Sequence, residues 1–222
     1  MDIKLKLPGE NDFFTEEAYK VLRTNLQFCG QDIKVIMVTS CNENDGKSTV
    51  TLHLAKSFSE LGKRVLVIDA DMRKSVVAGR NTSVKNPKGL SEVLTGLCPL
   101  NDCLYTVKDT RMQILFAGKY PPNPVELLSG KYFNALLTES RKAFDYILID
   151  TPPLGQVIDA AVVAGSCDGA MMVFGNSRVN YRQAQEMVSQ IEKSGCKMPG
   201  VVRNNRHEKK RMYYAQKKKY GV

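Results

Sequence analysis

The chain has 222 residues, 43% of them hydrophobic and 25% charged, proportions that fit one globular domain with a well-buried core. No apolar run approaches the roughly 18 residues that span a bilayer. The opening Met1-Asp2-Ile3-Lys4-Leu5-Lys6 lacks the apolar core of a secretory signal, so a cytoplasmic protein is expected.

The formal net charge of +9 lies mostly beyond Arg203, where Arg206, Lys209, Lys210, Arg211, Lys217, Lys218 and Lys219 meet only Glu208. That split predicts a folded domain over 1–205 and a flexible basic tail over 206–222. Six cysteines form no C-x-x-C pair, and His53 and His207 are the only histidines, so reduced structural thiols are expected rather than zinc ligands.

In chain order, helix-period residues cover 16–28. An apolar, β-branched run at 34–39 then reads as a buried strand. It leads into Ser40-Cys41-Asn42-Glu43-Asn44-Asp45-Gly46-Lys47-Ser48-Thr49 and a helix over 47–61, with Gly62 at its C′ stop. Further strands are expected at 64–69, 112–116, 146–150, 170–174 and 200–203. Helices are expected at 90–95, 131–141, 159–164 and 181–193, with loops at 81–89 and 118–124. Alternation of this kind predicts an α/β fold, a mainly parallel central sheet with helices on both faces.

Strand, tight loop and helix around Gly46-Lys47-Ser48 are the context of a P-loop. Loop amides and a helix N-terminus converge there on an anion. Lys47 is suited to the β- and γ-phosphates of a nucleotide and the Ser48 hydroxyl to Mg²⁺. Cys41 stands where the pattern usually opens with glycine, and a thiol beside a helix N-terminus can have a lowered pKa.

Two further strand ends carry carboxylates, Asp69-Ala70-Asp71 and Asp150-Thr151-Pro152-Pro153. Ligands of open α/β sheets bind at the carboxyl ends of strands, so Asp150 is positioned like a Walker B aspartate. Asp69 and Asp71 point opposite ways while extended, so a turn must redirect one of them. An aspartate after a strand is often only the cap of the next helix. Three strand ends bearing Gly-Lys-Ser, Asp-Ala-Asp and Asp-Thr-Pro-Pro point instead to a Mg-nucleotide site.

Together these motifs resemble the bacterial tyrosine kinases (BY-kinases) of capsular and exopolysaccharide synthesis, P-loop relatives of the MinD/ParA ATPases. Asp71-Met72-Arg73 resembles the family's Walker A′ motif, and Pro121-Pro122-Asn123-Pro124-Val125-Glu126-Leu127-Leu128 its PPNPxELL block. Glu17, Lys20 and Arg23 resemble its E-x-x-R-x-x-R oligomerisation helix, and Arg23-Thr24-Asn25 the signature that follows. Gly200 to Asn204 resembles the segment before the adenine-contacting region, and Tyr213, Tyr214 and Tyr220 the C-terminal tyrosine cluster.

The resemblance implies an autophosphorylating protein-tyrosine kinase that uses ATP and Mg²⁺ and phosphorylates its tail tyrosines in trans. It implies nucleotide contacts from Asn44, Asp45, Gly46, Lys47, Ser48, Thr49, Arg73 and Asn204, and metal ligation by Ser48, Asp71 and Asp150. Catalytic roles fall to Lys47, Asp69 and Asp71; Asp71 or Asp69 is the base, the family pattern favouring Asp71, and the other helps to hold the metal shell. Implied partners are a transmembrane polysaccharide co-polymerase that recruits the chain to the inner face of the plasma membrane, copies of itself in a ring, and a cognate tyrosine phosphatase. No specific nucleic acid is implied.

Four departures stand out. Asn44 replaces a glycine that needs φ > 0, a conformation asparagine adopts readily. Glu43 and Asp45 bring negative charge toward the phosphate cradle, which predicts weaker nucleotide affinity. Lys20 replaces an arginine, keeping charge but losing bidentate geometry. Asn42 occupies the place of the MinD/ParA signature lysine, which argues against that branch. The rival reading is a MinD/ParA-like ATPase switch that binds a partner or a membrane through its basic tail.

Overall fold

The computed structural model describes residues 1–10, 12–30, 32–176 and 179–204. Its central strands are β2 (Val35–Ser40), β3 (Val65–Asp69), β6 (Tyr146–Asp150) and β7 (Gly169–Phe174). Nearly every residue in them is buried, so they appear in the sequence as continuous apolar runs rather than alternating ones. With β1 (Asp2–Ile3), β4 (Leu104–Val107), β5 (Met112–Leu115) and β8 (Lys197–Arg203) they form one eight-stranded sheet, ordered β1-β4-β5-β3-β6-β2-β7-β8. All neighbours are parallel except β4 and β5.

Successive residues of the central strands feed opposite faces. Val35, Met37, Leu66, Ile68, Ile147, Ile149, Ala170 and Met172 face α4 (Leu90–Leu94), α5 (Pro124–Ser129), α6 (Lys131–Ala143), α7 (Asp159–Ala164) and α8 (Tyr181–Lys193). Ile36, Val38, Val65, Val67, Leu148, Met171 and Val173 face α1 (Phe13–Phe28), α2 (Lys47–Glu60) and α3 (Val77–Asn81). The expected helix layers on both faces are present.

The structure adds short elements to those expected. β1 is two residues long and β4 alternates buried with half-buried positions, so neither carries the long apolar run of a central strand. α5 begins inside the proline block because Pro124 occupies its first turn, where a missing N–H costs nothing. α1 starts at Phe13, earlier than the apolar period suggests. Asp12 caps it, its carboxylate accepting from Thr15 N at 3.1 Å and Thr15 Oγ1 at 2.7 Å.

Candidate active site

The loop between β2 and α2 turns through two left-handed residues, Asn44 at φ 63° and Gly46 at φ 91°. Asn44 therefore adopts the conformation expected of it. Gly46 has a second constraint, because a Cβ there would lie 2.0 Å from Asn204 Nδ2. That amide donates to the Asp45 carbonyl at 2.9 Å, while Asn204 N donates to Phe174 O at 2.7 Å. The end of β8 thus braces the loop.

The two acidic loop residues are engaged by the protein itself. Asp45 is buried and accepts from Asn42 N at 2.9 Å. Glu43 reaches outward to Lys74 Nζ at 2.8 Å. The charge expected to weigh on the cradle is partly taken up by these contacts.

Cys41 does not behave as a thiol at a helix N-terminus. Its side chain is fully buried and its sulfur lies 3.8 Å from Met172 Sδ. Burial, reinforced by the nearby Asp45 charge, pushes its pKa up to about 11 rather than down.

Sheet register brings the acidic motifs together, since Asp69 and Asp150 are direct neighbours at the ends of β3 and β6. Asp69 accepts from Asp71 N at 3.2 Å and from the Ser75 hydroxyl. Asp71 accepts from Lys74 N at 3.0 Å, which closes the turn and brings its other oxygen within 3.3 Å of Lys47 Nζ. This is the redirecting turn that two alternate aspartates require.

Asp150 is 1% exposed, and neither of its carboxylate oxygens has a hydrogen-bond partner. The charged form of a buried carboxylate left this way is favoured by nearby positive charge, part of which the Lys47 ammonium supplies. With the Ser48 hydroxyl near it, the donor set is oxygen-only and suits Mg²⁺. Thr151 N and Oγ1, each 3.1 Å from Val38 O, hold the following segment against β2.

The electrostatics follow from this crowding. Burial, then the adjacent Asp150 charge, pushes Asp69 above the usual carboxylate range. Burial pushes Asp150 up as well, opposed by Lys47 and Ser48. Burial works against the Lys47 ammonium, but Asp150, Asp71 and Asp69 outweigh it and hold its pKa above the ordinary value.

The other expected residues are distributed unevenly. Arg73 Nε is held by the buried Asp159, 3.0 and 3.3 Å away at the start of α7. Glu17 and Lys20 pair within α1 at 2.7 Å. Arg23 turns onto α2, donating to Ser57 O at 2.7 Å and Ser57 Oγ at 3.1 Å. Tyr213, Tyr214 and Tyr220 lie outside the described residues. Sequence reasoning missed Ser75 and Asp159, which orient Asp69 and Arg73. The available signal for Asp159 was its place in the first turn of a helix, which by itself suggests only a dipole partner.

Residues 33–193 match the family model described as an AAA domain. Tyrosine-protein kinase CpsD of Streptococcus agalactiae is 40% identical over 194 residues, spanning 87% of this chain and 85% of that protein. The chain belongs to the bacterial tyrosine kinases. Among solved bacterial tyrosine kinases, the kinase domain of Escherichia coli tyrosine kinase ETK superposes with a TM-score of 0.79 at 31% identity. That match covers 85% of this chain and 74% of the other. The cell division ATPase MinD of Pyrococcus furiosus shares the fold, with a TM-score of 0.65 at 24% identity, covering 80% of this chain and 74% of that one. The chain thus has an α/β fold common to the ETK kinase domain and MinD.

Proposed function

We propose that this chain transfers the γ-phosphoryl group of ATP to the tail tyrosines Tyr213, Tyr214 and Tyr220 of neighbouring copies, and so regulates capsular or exopolysaccharide synthesis. The observation that carries the reading is the buried, unpartnered carboxylate of Asp150 beside Ser48 and the Lys47–Asp71 pair. Bound Mg²⁺ would supply charge neutralisation for the phosphates, with Ser48 and Asp150 as its holding groups. Amides of residues 44–49 and the Lys47 ammonium bind and orient the β- and γ-phosphates. Arg73, already oriented by Asp159, and Asn204, already against Gly46, complete the nucleotide contacts.

Lys47 leaves Asp71 when it engages phosphate, which frees that carboxylate to take the tyrosine proton. A tyrosine of pKa about 10 gives up its proton late, so Asp71 mainly orients the hydroxyl. Asp69, pushed up by burial and held by Ser75, supports the turn that presents Asp71.

The resemblance to the family further supports a ring of copies joined through α1, a transmembrane co-polymerase that activates the chain at the membrane, and a cognate phosphatase. In α1 the half-buried Glu17 and Lys20 would make the ring contacts, with Arg23 fixing the helix to α2. The test is incubation of the purified chain with ATP, Mg²⁺ and the candidate activator, followed by mapping of phosphotyrosine by mass spectrometry. Phosphate is expected on the tail tyrosines and absent from Lys47→Met. ATP hydrolysis without phosphotyrosine would overturn the kinase reading in favour of an ATPase switch.

A further inference from the structure

The β1–β4 edge of the sheet carries a segregated basic face that the phosphoryl-transfer site does not use. From Met72 to Ser91 the chain contains Arg73, Lys74, Arg80, Lys85 and Lys88 and no acidic residue. Arg73 and Lys74 are paired with Asp159 and Glu43. Arg80, Lys85 and Lys88 are exposed and enter no ion pair among the described residues.

The N-terminal segment extends this face. Along 2–7 the exposed Asp2, Lys4 and Lys6 alternate with the buried or half-buried Ile3, Leu5 and Leu7, the period of a strand with one wet side. Lys6 N donates to Asn81 O at 2.8 Å and Asn81 Nδ2 returns a bond to Lys6 O at 3.0 Å, which ties Lys4 and Lys6 to the end of α3 beside Arg80. Lys108 N donates to Ile3 O at 2.9 Å and adds its own exposed ammonium, in no ion pair among the described residues, at the end of β4.

Exposed Asp2, Asp102 and Asp109 temper the face but form no ion pair with it among the described residues. Elsewhere among the described residues some cations are in ion pairs and others, such as Lys63, Lys131 and Lys193, are not. Lys142 pairs with Glu139, Arg141 with Asp168 and Arg64 with Asp145.

We propose that this edge, through Lys4, Lys6, Arg80, Lys85, Lys88 and Lys108, rests directly on anionic lipid headgroups. The composition selects the occupant. Five of the six cations are lysines, point charges suited to a diffuse anionic surface rather than to bidentate pairing with a folded acidic partner. No aromatic residue lies between Met72 and Ser91 to stack nucleobases. Met1, 84% exposed at the start of the same edge, adds an apolar side chain to the face. β8, the last strand among the described residues, lies at the opposite edge of the sheet.

The experiment is flotation of the full-length chain with vesicles of phosphatidylcholine alone and of phosphatidylcholine mixed equally with phosphatidylglycerol. It compares wild type, Lys4→Glu/Lys6→Glu/Lys85→Glu/Lys88→Glu, and the tail variant Lys217→Gln/Lys218→Gln/Lys219→Gln. Wild type is expected to bind only the anionic vesicles, and less so as salt rises. Reversal of the face is expected to lower that binding at least about tenfold, more than the tail variant does, with the thermal midpoint and nucleotide affinity unchanged. The matching Lys→Gln variant is expected to show a smaller loss in the same direction and serves if the reversed chain does not fold. Binding unchanged by the face variants, lost mainly in the tail variant, or equal on neutral and anionic vesicles would overturn the proposal. So would displacement by nucleic acid or an acidic polypeptide at concentrations that leave lipid binding of the tail intact.

Discussion

Two aspartates at opposite ends of the same sheet meet contrasting surroundings. Asp168, just before β7, accepts from Lys34 N at 2.9 Å and Val35 N at 2.7 Å, and from both Arg141 Nη atoms at 2.8 Å. Burial works against its charge, but the arginine fork and the two amides outweigh that and hold its pKa below the usual range. Asp150, at the far end of β6, accepts from no arginine or backbone amide; burial pushes its pKa up, opposed only by the Lys47 charge and the Ser48 hydroxyl. One carboxylate is saturated by the protein and contributes to folding. The other has no such saturation.

Substitutions that act on one end only test this contrast. The largest expected effect is at Lys47, where replacement by Met is expected to reduce phosphotyrosine formation by roughly a thousandfold or more. Quantitative mass spectrometry of the tail reads it, and near-normal labelling would remove Lys47 from the chemistry. Asp150→Asn should leave the stability of the nucleotide-free protein unchanged or raised, because it relieves like-charge crowding with Asp69. Calorimetric titration should show that magnesium no longer strengthens its nucleotide binding.

Asp168→Asn is the mirror experiment. With Arg141 partly exposed, its loss is expected to cost about 2 kcal/mol of folding free energy, measured by urea unfolding, with nucleotide affinity intact. The same group sets a pH dependence. Its folded pKa is depressed, so its contribution is present above the unfolded value near 3.9 and is lost as pH falls through the lower folded value. Stability of the wild type should therefore fall in acid more steeply than that of Asp168→Asn. The smallest effect is expected at the exposed Glu43–Lys74 pair, where Lys74→Ala should change stability by less than about 1 kcal/mol.

How much of this was readable beforehand differs by element. The central strands were legible because strands buried on both faces must be apolar throughout, and 146–150 was read to the residue. β1 and β4 were not legible, since two to four residues at an edge carry no periodic signal. At the site, Lys47, Ser48 and the three aspartates were recognisable from motif and strand context. Ser75, Asp159 and the inward turn of Arg23 were not, because each depends on a partner distant in the chain or on a neighbouring helix. The surroundings of Cys41 were not legible for the same reason, its neighbour in sequence being a helix terminus while its side chain enters the core.

Local chemistry written in the chain determined the loop that bends at Asn44 and Gly46, the helix that starts at Lys47, and the acidic residues that end β3 and β6. What only the tertiary structure decided is that Asp69 and Asp150 fall side by side, that Asn204 closes on Gly46, and that Asp168 is satisfied while Asp150 is not. The reason is physical. Backbone conformation depends on a residue and its immediate neighbours, whereas the charge state and readiness of a buried carboxylate depend on strands and helices brought beside it by burial of the core.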